Sequence, residues 1–268
     1  MFRALCFMFH MSLIKTPSEI DKLREGGHLL AQILDAVIAA VKPGVSTGEL
    51  NVLAEKLMRE AGAEPAFLGY GARLTKQGQK VGGFPAVLCT SANEGVVHCI
   101  PSRERVLRDG DLIGLDIGIK YKGLFTDMAR TVGVGTASAT AKQLMRITKE
   151  ALDLGIAQAK PGNTTGDIGH AVQIYVESHG FSVVRDLVGH GVGHAVHEKP
   201  PVPNFGKAGT GLLLEPGMVL AIEPMVNAGG PEVKWLDDGW SVVTADGKLS
   251  AHFEHTVLVK KFGYEILT

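Results

Sequence analysis

Cysteine is scarce in this chain. The three present among 268 residues, Cys6, Cys89 and Cys99, form no Cys-x-x-Cys pair and no even framework. That excludes a disulfide scaffold and a zinc-finger appendage and points to a reducing compartment, so the expected location is the cytoplasm. Net charge is missing as well: 27 basic residues stand against 28 acidic ones, scattered rather than clustered. No footprint is left for nucleic acid or an anionic membrane, and small neutral substrates fit best. No stretch approaches the roughly 20 apolar residues of a membrane span. The apolar start, Met1 to Met11, is interrupted by His10 and lacks a small-x-small cleavage site, which argues against a secretory signal. Residues 1–13 are therefore expected to be an extension from an upstream start codon, with Met11-Ser12 the more natural beginning. Independent linkers are also absent. With 45% hydrophobic residues the chain can bury a sizeable core, and residues 14–268 are expected to form one domain.

What is present is repetition. Lys42-Pro-Gly-Val-Ser-Thr-Gly-Glu-Leu50 returns as Lys160-Pro-Gly-Asn-Thr-Thr-Gly-Asp-Ile168. Val97-His98-Cys-Ile-Pro101 returns as Val196-His197-Glu-Lys-Pro200, and Asp109-Gly-Asp-Leu-Ile-Gly-Leu-Asp116 as Pro216-Gly-Met-Val-Leu-Ala-Ile-Glu223. Two related halves folded against each other would each supply a histidine, then a carboxylate at the end of a buried strand, to one shared site.

Thr16-Pro17-Ser18-Glu19 predicts a helix start in which Thr caps, Pro fills the first turn and Glu reaches back. Ile20, Leu23, Leu30, Ile33, Leu34, Val37 and Val41 mark its apolar face until Pro43-Gly44. Ser46-x-x-Glu49 opens a second helix, and the second half repeats the pair near 140–159 and 165–179. Strands are expected at about 84–90, 111–120, 124–134, 183–188, 218–227, 240–245 and 251–260, with Asp246-Gly247 as a hairpin turn. The class is α+β: an antiparallel, mainly buried sheet with two helix pairs covering one face.

Asp116 interrupts Leu112-Ile-Gly-Leu-Asp-Ile-Gly-Ile119, a run too apolar for a surface strand, so its carboxylate must be paired, protonated or bound to a metal. A turn centred between Tyr121 and Lys122 would set Asp127 directly opposite it, about 5 Å apart at Cβ. Two ionised carboxylates at that spacing repel by roughly 4 kcal/mol at an effective dielectric of 20. Arg130 is the obvious counter-charge, but its parity along the strand puts it on the other face, which favours a metal. Glu223 and Glu254 repeat the situation, and structural ion pairing explains four such acids poorly.

Gly189-His-Gly-Val-Gly-His-Ala-Val-His197 reads as a glycine-rich turn holding His190, His194 and His197, a density that favours ligation or proton transfer over structural packing. Carboxylates with a single imidazole suit Mn, Fe, Co or Zn, and the number of acids suggests two ions sharing bridging carboxylates. Cys99 beside His98 is read as packing.

From Ile14 to Thr268 the chain resembles the type I methionine aminopeptidases of the pita-bread fold. The resemblance rests on Asp116, Asp127 eleven residues later, His190 in Gly-His-Gly-Val-Gly, Glu223 in Ile-Glu-Pro-Met and Glu254 in Phe-Glu-His-Thr. It implies that these five hold two divalent ions, Asp116 and Asp127 on one, His190 and Glu223 on the other, with Asp127 and Glu254 bridging. It also implies that His98 and His197 contact substrate, near the scissile nitrogen and at the carbonyl oxygen, and that Glu223 moves the proton of an attacking water. The methionine pocket it implies maps onto Phe67, Tyr70, Phe84, Cys89 and Trp240, where rings and a thiol suit a thioether. Peptide and nascent-chain N-termini with a small second residue are the implied substrates, with transient ribosome contact and a monomeric state as accompanying expectations.

Three departures touch the pocket's outline: Cys99 after the first substrate histidine where glycine is common, Val196 before the second where an aromatic is common, and a longer segment between Tyr70 and Phe84. That polar segment, 71–83, is expected to form an exposed loop that flaps over the leaving side of the substrate. X-Pro aminopeptidases and prolidases share the ligand pattern but usually carry a large N-terminal domain, for which there is no room before Thr16. Type II methionine enzymes carry a helical insertion that the 33 residues from His190 to Glu223 cannot hold. A pita-bread binding protein without activity would be expected to have lost ligands, and here all five are present.

Overall fold

The structure is a computed structural model and describes residues 13–74 and 80–268. The expected extension over residues 1–13 lies, except for Leu13, outside the described residues. So does the tip of the expected flap, whose neck forms a small antiparallel ribbon in which Arg73–Leu74 pairs with Lys80–Val81.

Four helices form where the caps predict them: α1 (Pro17–Ala39), α2 (Thr47–Glu60), α3 (Ala139–Ile156) and α4 (Thr165–Ser178). Thr16 accepts from the Glu19 N–H while Glu19 accepts from the Thr16 N–H at 2.8 Å, a reciprocal cap that Ser46 and Glu49 repeat on α2. On α4, Asp167 takes the Thr164 N–H at 2.7 Å. Among the described residues, no helix is long and apolar enough to cross a membrane.

The helices cover a nine-stranded antiparallel sheet running Glu64–Pro65, Leu112–Tyr121, Leu124–Gly133, Glu254–Val259, Val219–Ile222, Gly189–Gly191, Glu198–Val202. Cys89–Ala92 and Tyr264–Ile266 attach to the second and fourth of these. Side-chain alternation explains the apolar run that holds Asp116. Ile113, Leu115, Ile117 and Ile119 pack into a core with Leu30, Leu34 and Val37 of α1 and Leu50 and Met58 of α2, which leaves Gly114, Asp116 and Gly118 on the other face. Arg130 also takes the helix side, paired with Asp35 of α1, as its parity predicts. The functional face is thus the one turned away from α1.

Two expectations of local geometry fail. The hairpin after Tyr121 turns one residue later than expected, through Lys122 and Gly123, both at positive φ (49° and 85°). Asp127 therefore faces Gly118, and Asp116 faces Ala129, so the two acids are diagonal neighbours on one face rather than directly opposed. Asp246-Gly247 does turn the chain, but joins no hairpin: Val242–Thr244 pairs with Gly95–Val97 and Val233–Trp235, whereas Ser250–His252 pairs with Met225–Asn227. The expected strand over 84–90 starts only at Cys89.

Candidate metal centre and substrate cavity

Five adjacent strands of the large sheet deliver one donor each to the face opposite α1. In sheet order they are Asp116 on Leu112–Tyr121, Asp127 on Leu124–Gly133, Glu254 opening Glu254–Val259, Glu223 directly after Val219–Ile222, and His190 within Gly189–Gly191. The last of these corrects the expectation of a glycine-rich turn, because Gly189 and Gly191 lie in a strand. A Cβ on Gly189 would meet the Ala221 carbonyl oxygen at 2.4 Å and one on Gly191 the Lys199 oxygen at 2.2 Å. The glycines thus let two neighbouring strands close on His190 from both sides.

Register and side-chain clasps fix the acids. Strands Leu124–Gly133 and Glu254–Val259 pair at Ala129 with Glu254 and Met128 with His255. Beyond that pair, backbone exchange gives way to threonine hydroxyls at both ends. Thr256 Oγ1 accepts from the Asp127 N–H at 2.9 Å and donates to the Asp127 carbonyl at 2.8 Å. Thr131 Oγ1 does the same for His252, at 2.9 and 2.8 Å. The two clasps are related by the local two-fold of the antiparallel pair, at the seam between the two halves of the chain.

Electrostatically the cluster is strained. Burial, then the neighbouring Glu223 charge, raises the Asp127 carboxyl to about 7, and burial raises Glu223 to about 8. Asp116 and Glu254 are held well above the carboxylate range, by burial first and then by the other acids. His190 is pushed down to about 3, chiefly by burial. Asp116 Oδ1 and Glu254 Oε1 are buried without a hydrogen-bond partner among the described residues, an expensive condition unless a cation sits against them. Asp127, His190 and Glu254 offer ligand atoms that all lie within 4.8 Å of one another. Glu223 Oε1 stands 3.4 Å from His190 Nε2. The donor set, oxygen-rich with one imidazole, fits a divalent metal.

The acids floor a cavity of about 350 Å³, and all twelve residues that the family resemblance assigned to the metal site, substrate contacts and pocket line it. On its apolar wall the Phe84 and Trp240 rings meet edge-on at 5.5 Å, above the buried Phe67 and Cys89. At its mouth His197 lies between the Tyr70 ring at 4.9 Å and the His190 ring at 4.3 Å, and partial desolvation lowers its pKa. His98 follows Gly95–Val97 with a left-handed φ of 58°, unusual for a non-glycine residue and a recurrent feature of active sites. Burial, with His197 and His252 nearby, lowers its imidazole to about 4. Cys99 turns away, its Sγ near the Val97 and Val242 carbonyls at 3.7 and 3.9 Å, in agreement with a packing role. His194 also lies apart, bonded to Glu19 at 2.8 Å.

Sequence reasoning missed five lining residues, Val97, Asp186, Leu187, Val188 and Met225, and the buried His252 behind Glu223. Leu187 and Met225 carry no local signal, since apolar residues beside a buried strand usually mean core.

A cavity floored by four carboxylates and an imidazole, with two further histidines and an apolar wall in its lining, on a sheet built from two pseudo-equivalent halves, defines a metal-dependent hydrolase of the pita-bread architecture. The sequence profile described as metallopeptidase family M24 matches residues 21–261, and the chain belongs to that family. It is 49% identical over 258 residues to a methionine aminopeptidase of Clostridium perfringens, covering 96% of this chain and 99% of that protein. Among solved structures it is similar to a methionine aminopeptidase of Thermotoga maritima, with a TM-score of 0.90, 44% identity and coverage of 95% and 98%. A prolidase of Pyrococcus horikoshii shares the fold at a TM-score of 0.75 and 25% identity, but this chain spans only 64% of it.

Proposed function

We propose that the chain is a methionine aminopeptidase, which removes the N-terminal methionine from peptides and nascent proteins with a small second residue in the cytoplasm. The observation that carries this reading is the convergence of five donors, one from each of five neighbouring strands, beneath an apolar pocket of Phe67, Tyr70, Phe84, Cys89 and Trp240. Two divalent ions of the Co, Mn, Fe or Zn kind, held by Asp116, Asp127, His190, Glu223 and Glu254, would supply an acidified water and a polarised carbonyl. The rest falls to the protein. In this reading Glu223 takes the proton of the attacking water and passes it to the leaving nitrogen. His197, at the mouth, donates to the carbonyl oxygen as negative charge develops, and His98 holds the scissile nitrogen. The pocket wall accepts a thioether by dispersion and sulfur–aromatic contact, and excludes charged side chains because burying an unpaired charge is costly.

Protein stripped with chelator and then given Mn or Co should release methionine from a Met-Ala-Ser peptide and leave an X-Pro peptide intact. Full turnover in the chelated sample, or preference for the X-Pro peptide, overturns the reading.

A further inference from the structure

Glu223 is gripped from more sides than its place at the end of a strand requires. Its carbonyl oxygen accepts from Asn204 Nδ2 at 3.0 Å. Its Oε1 lies 3.4 Å from His190 Nε2 and its Oε2 lies 3.3 Å from His252 Nε2. The carboxylate is therefore bracketed by two imidazoles with opposite duties: His190 belongs to the donor set, whereas His252 is not among the residues lining the cavity.

His252 is itself unusually constrained. Its side chain is 3% exposed, and among the described residues Nε2 has no properly aligned hydrogen-bond partner, so that Glu223 Oε2 is the group it can serve. Its backbone is clasped by Thr131 through both N–H and carbonyl, and on its other edge it pairs with Met225, two residues beyond Glu223. A buried imidazole that is aimed by its backbone on both edges, and that meets only one carboxylate oxygen, is built to orient that carboxylate. Under the local two-fold of the seam His252 occupies the position that Asp127 has in the other half. One half uses that position for a metal-facing acid, the other for a support.

We propose that His252 is a positioning residue for Glu223: its Nε2–H over Oε2 turns the carboxylate so that Oε1 points with His190 at the shared metal position. This inference rests on Glu223 being a metal-holding residue. Loss of such an outer partner typically costs about 10–100-fold in metal affinity or activity.

The test is a Mn titration of chelated protein by calorimetry, with methionine release measured in parallel and folding followed by circular dichroism. His252→Leu should weaken Mn binding by about 10–100-fold at unchanged stoichiometry, and lower kcat more than it raises KM. His252→Gln, whose amide keeps a donor of similar reach, should recover to within a few-fold of the parent. If the leucine variant does not fold, His252→Asn, polar but too short to reach Oε2, takes its place with the same expectation. Parent-like Mn affinity in the leucine or asparagine variant overturns the proposal, and loss of one bound equivalent overturns it in favour of direct ligation by His252. Glu223→Gln separates the two layers. If it binds Mn as the parent does, the reading of Glu223 is wrong, whereas if it loses Mn while His252→Leu does not, only the positioning role is wrong.

Discussion

Replacing Thr256 by valine removes one oxygen and leaves the shape of the side chain almost unchanged. That oxygen is fully buried, and it serves both the N–H and the carbonyl of Asp127, at 2.9 and 2.8 Å. The backbone of Thr256 cannot take over. Its N–H is already given to Thr268 Oγ1 at 3.1 Å and its carbonyl receives the Leu267 N–H at 2.9 Å, because the strand changes partner here from Leu124–Gly133 to Tyr264–Ile266. A buried polar group stripped of its partner costs about 1–3 kcal/mol, so two together should cost about 2–6 kcal/mol. Against a total of about 5–15 kcal/mol for a typical domain this is a large share. At roughly 2–4 °C per kcal/mol for a chain of this size, the melting temperature should fall by about 5 °C or more. The assay is urea and thermal unfolding of metal-free Thr256→Val beside Thr256→Ser, which keeps the hydroxyl and gives up only a methyl worth about 0.8 kcal/mol. If the valine variant is as stable as the serine variant, the hydroxyl is not what holds Asp127, and the clasp has no energetic meaning.

Three other perturbations follow from the same geometry. His197→Ala should keep its bound metal and lose about 100-fold or more in kcat, the usual loss for one oxyanion donor; a fall in metal content by half would make His197 a ligand instead. Glu19, whose carboxyl the Thr16 N–H and then His194 hold down at about 2 from an ordinary 4.5, gives a pH signature. The unfolded chain binds the extra proton between those values, so this contribution is present above about 4.5 and disappears as pH falls towards 2. Urea midpoints from pH 6 to 2 should therefore drop less steeply for Glu19→Gln, and parallel acid slopes would refute the assignment. Gly118→Ala places a Cβ 2.8 Å from Phe67 Cε1 and 3.1 Å from Ala66 Cβ. With overpacking of about 1–3 kcal/mol relieved by movement of the Phe67 ring into the cavity, KM for methionyl peptides should rise while metal content stays the same. Parent-like KM and stability together would show that the ring has room elsewhere.

The parts of the site that could be read from the sequence were those where chemistry conflicts with local environment. Asp116 stands out because an ionisable group in Leu112-Ile-Gly-Leu-Asp-Ile is costly wherever the strand lies, and Arg130 is dismissed as counter-charge by parity alone. The roles proposed for these residues, which burial cannot assign, come from the family resemblance. Register is what the sequence withholds. The turn through Lys122-Gly123 rather than Tyr121-Lys122 displaces Asp127 from Asp116 along the ladder, and only the positive φ at both residues shows why. Asp246-Gly247 carries the hairpin signature, yet Asp246 spends its carboxylate on the N–H groups of Gly230 and Lys248, both at 3.1 Å, while the strand before it pairs with residues from the other half of the chain. His252 was hidden for a related reason. In His252-Phe-Glu-His-Thr it is one histidine among several, and its isolation behind Glu223 arises from the Thr131 clasp more than a hundred positions away in sequence.

The proposed metal site draws on both halves of the chain. Asp116 and Asp127 come from the first repeat and His190, Glu223 and Glu254 from the second, and the pairing of Ala129 with Glu254 joins the two within the large sheet. The first half alone would hold Asp116 and Asp127 without the donor imidazole of His190, and the second His190 with acids that lack Asp127 as a partner. Burial raises every one of these carboxyls in the assembled fold, so the seam is a point of electrostatic cost as long as it is metal-free. A divalent ion that binds the folded chain and not the unfolded one adds RT ln(1 + [M]/Kd) to stability and cancels that repulsion at the same place. Thr131 and Thr256 close the ladder on either side of the joint, where ordinary backbone pairing stops, which keeps the acids close enough for one ion to reach both halves. Folding and the proposed metal binding should therefore depend on the same few contacts, and a substitution that loosens the seam should weaken both.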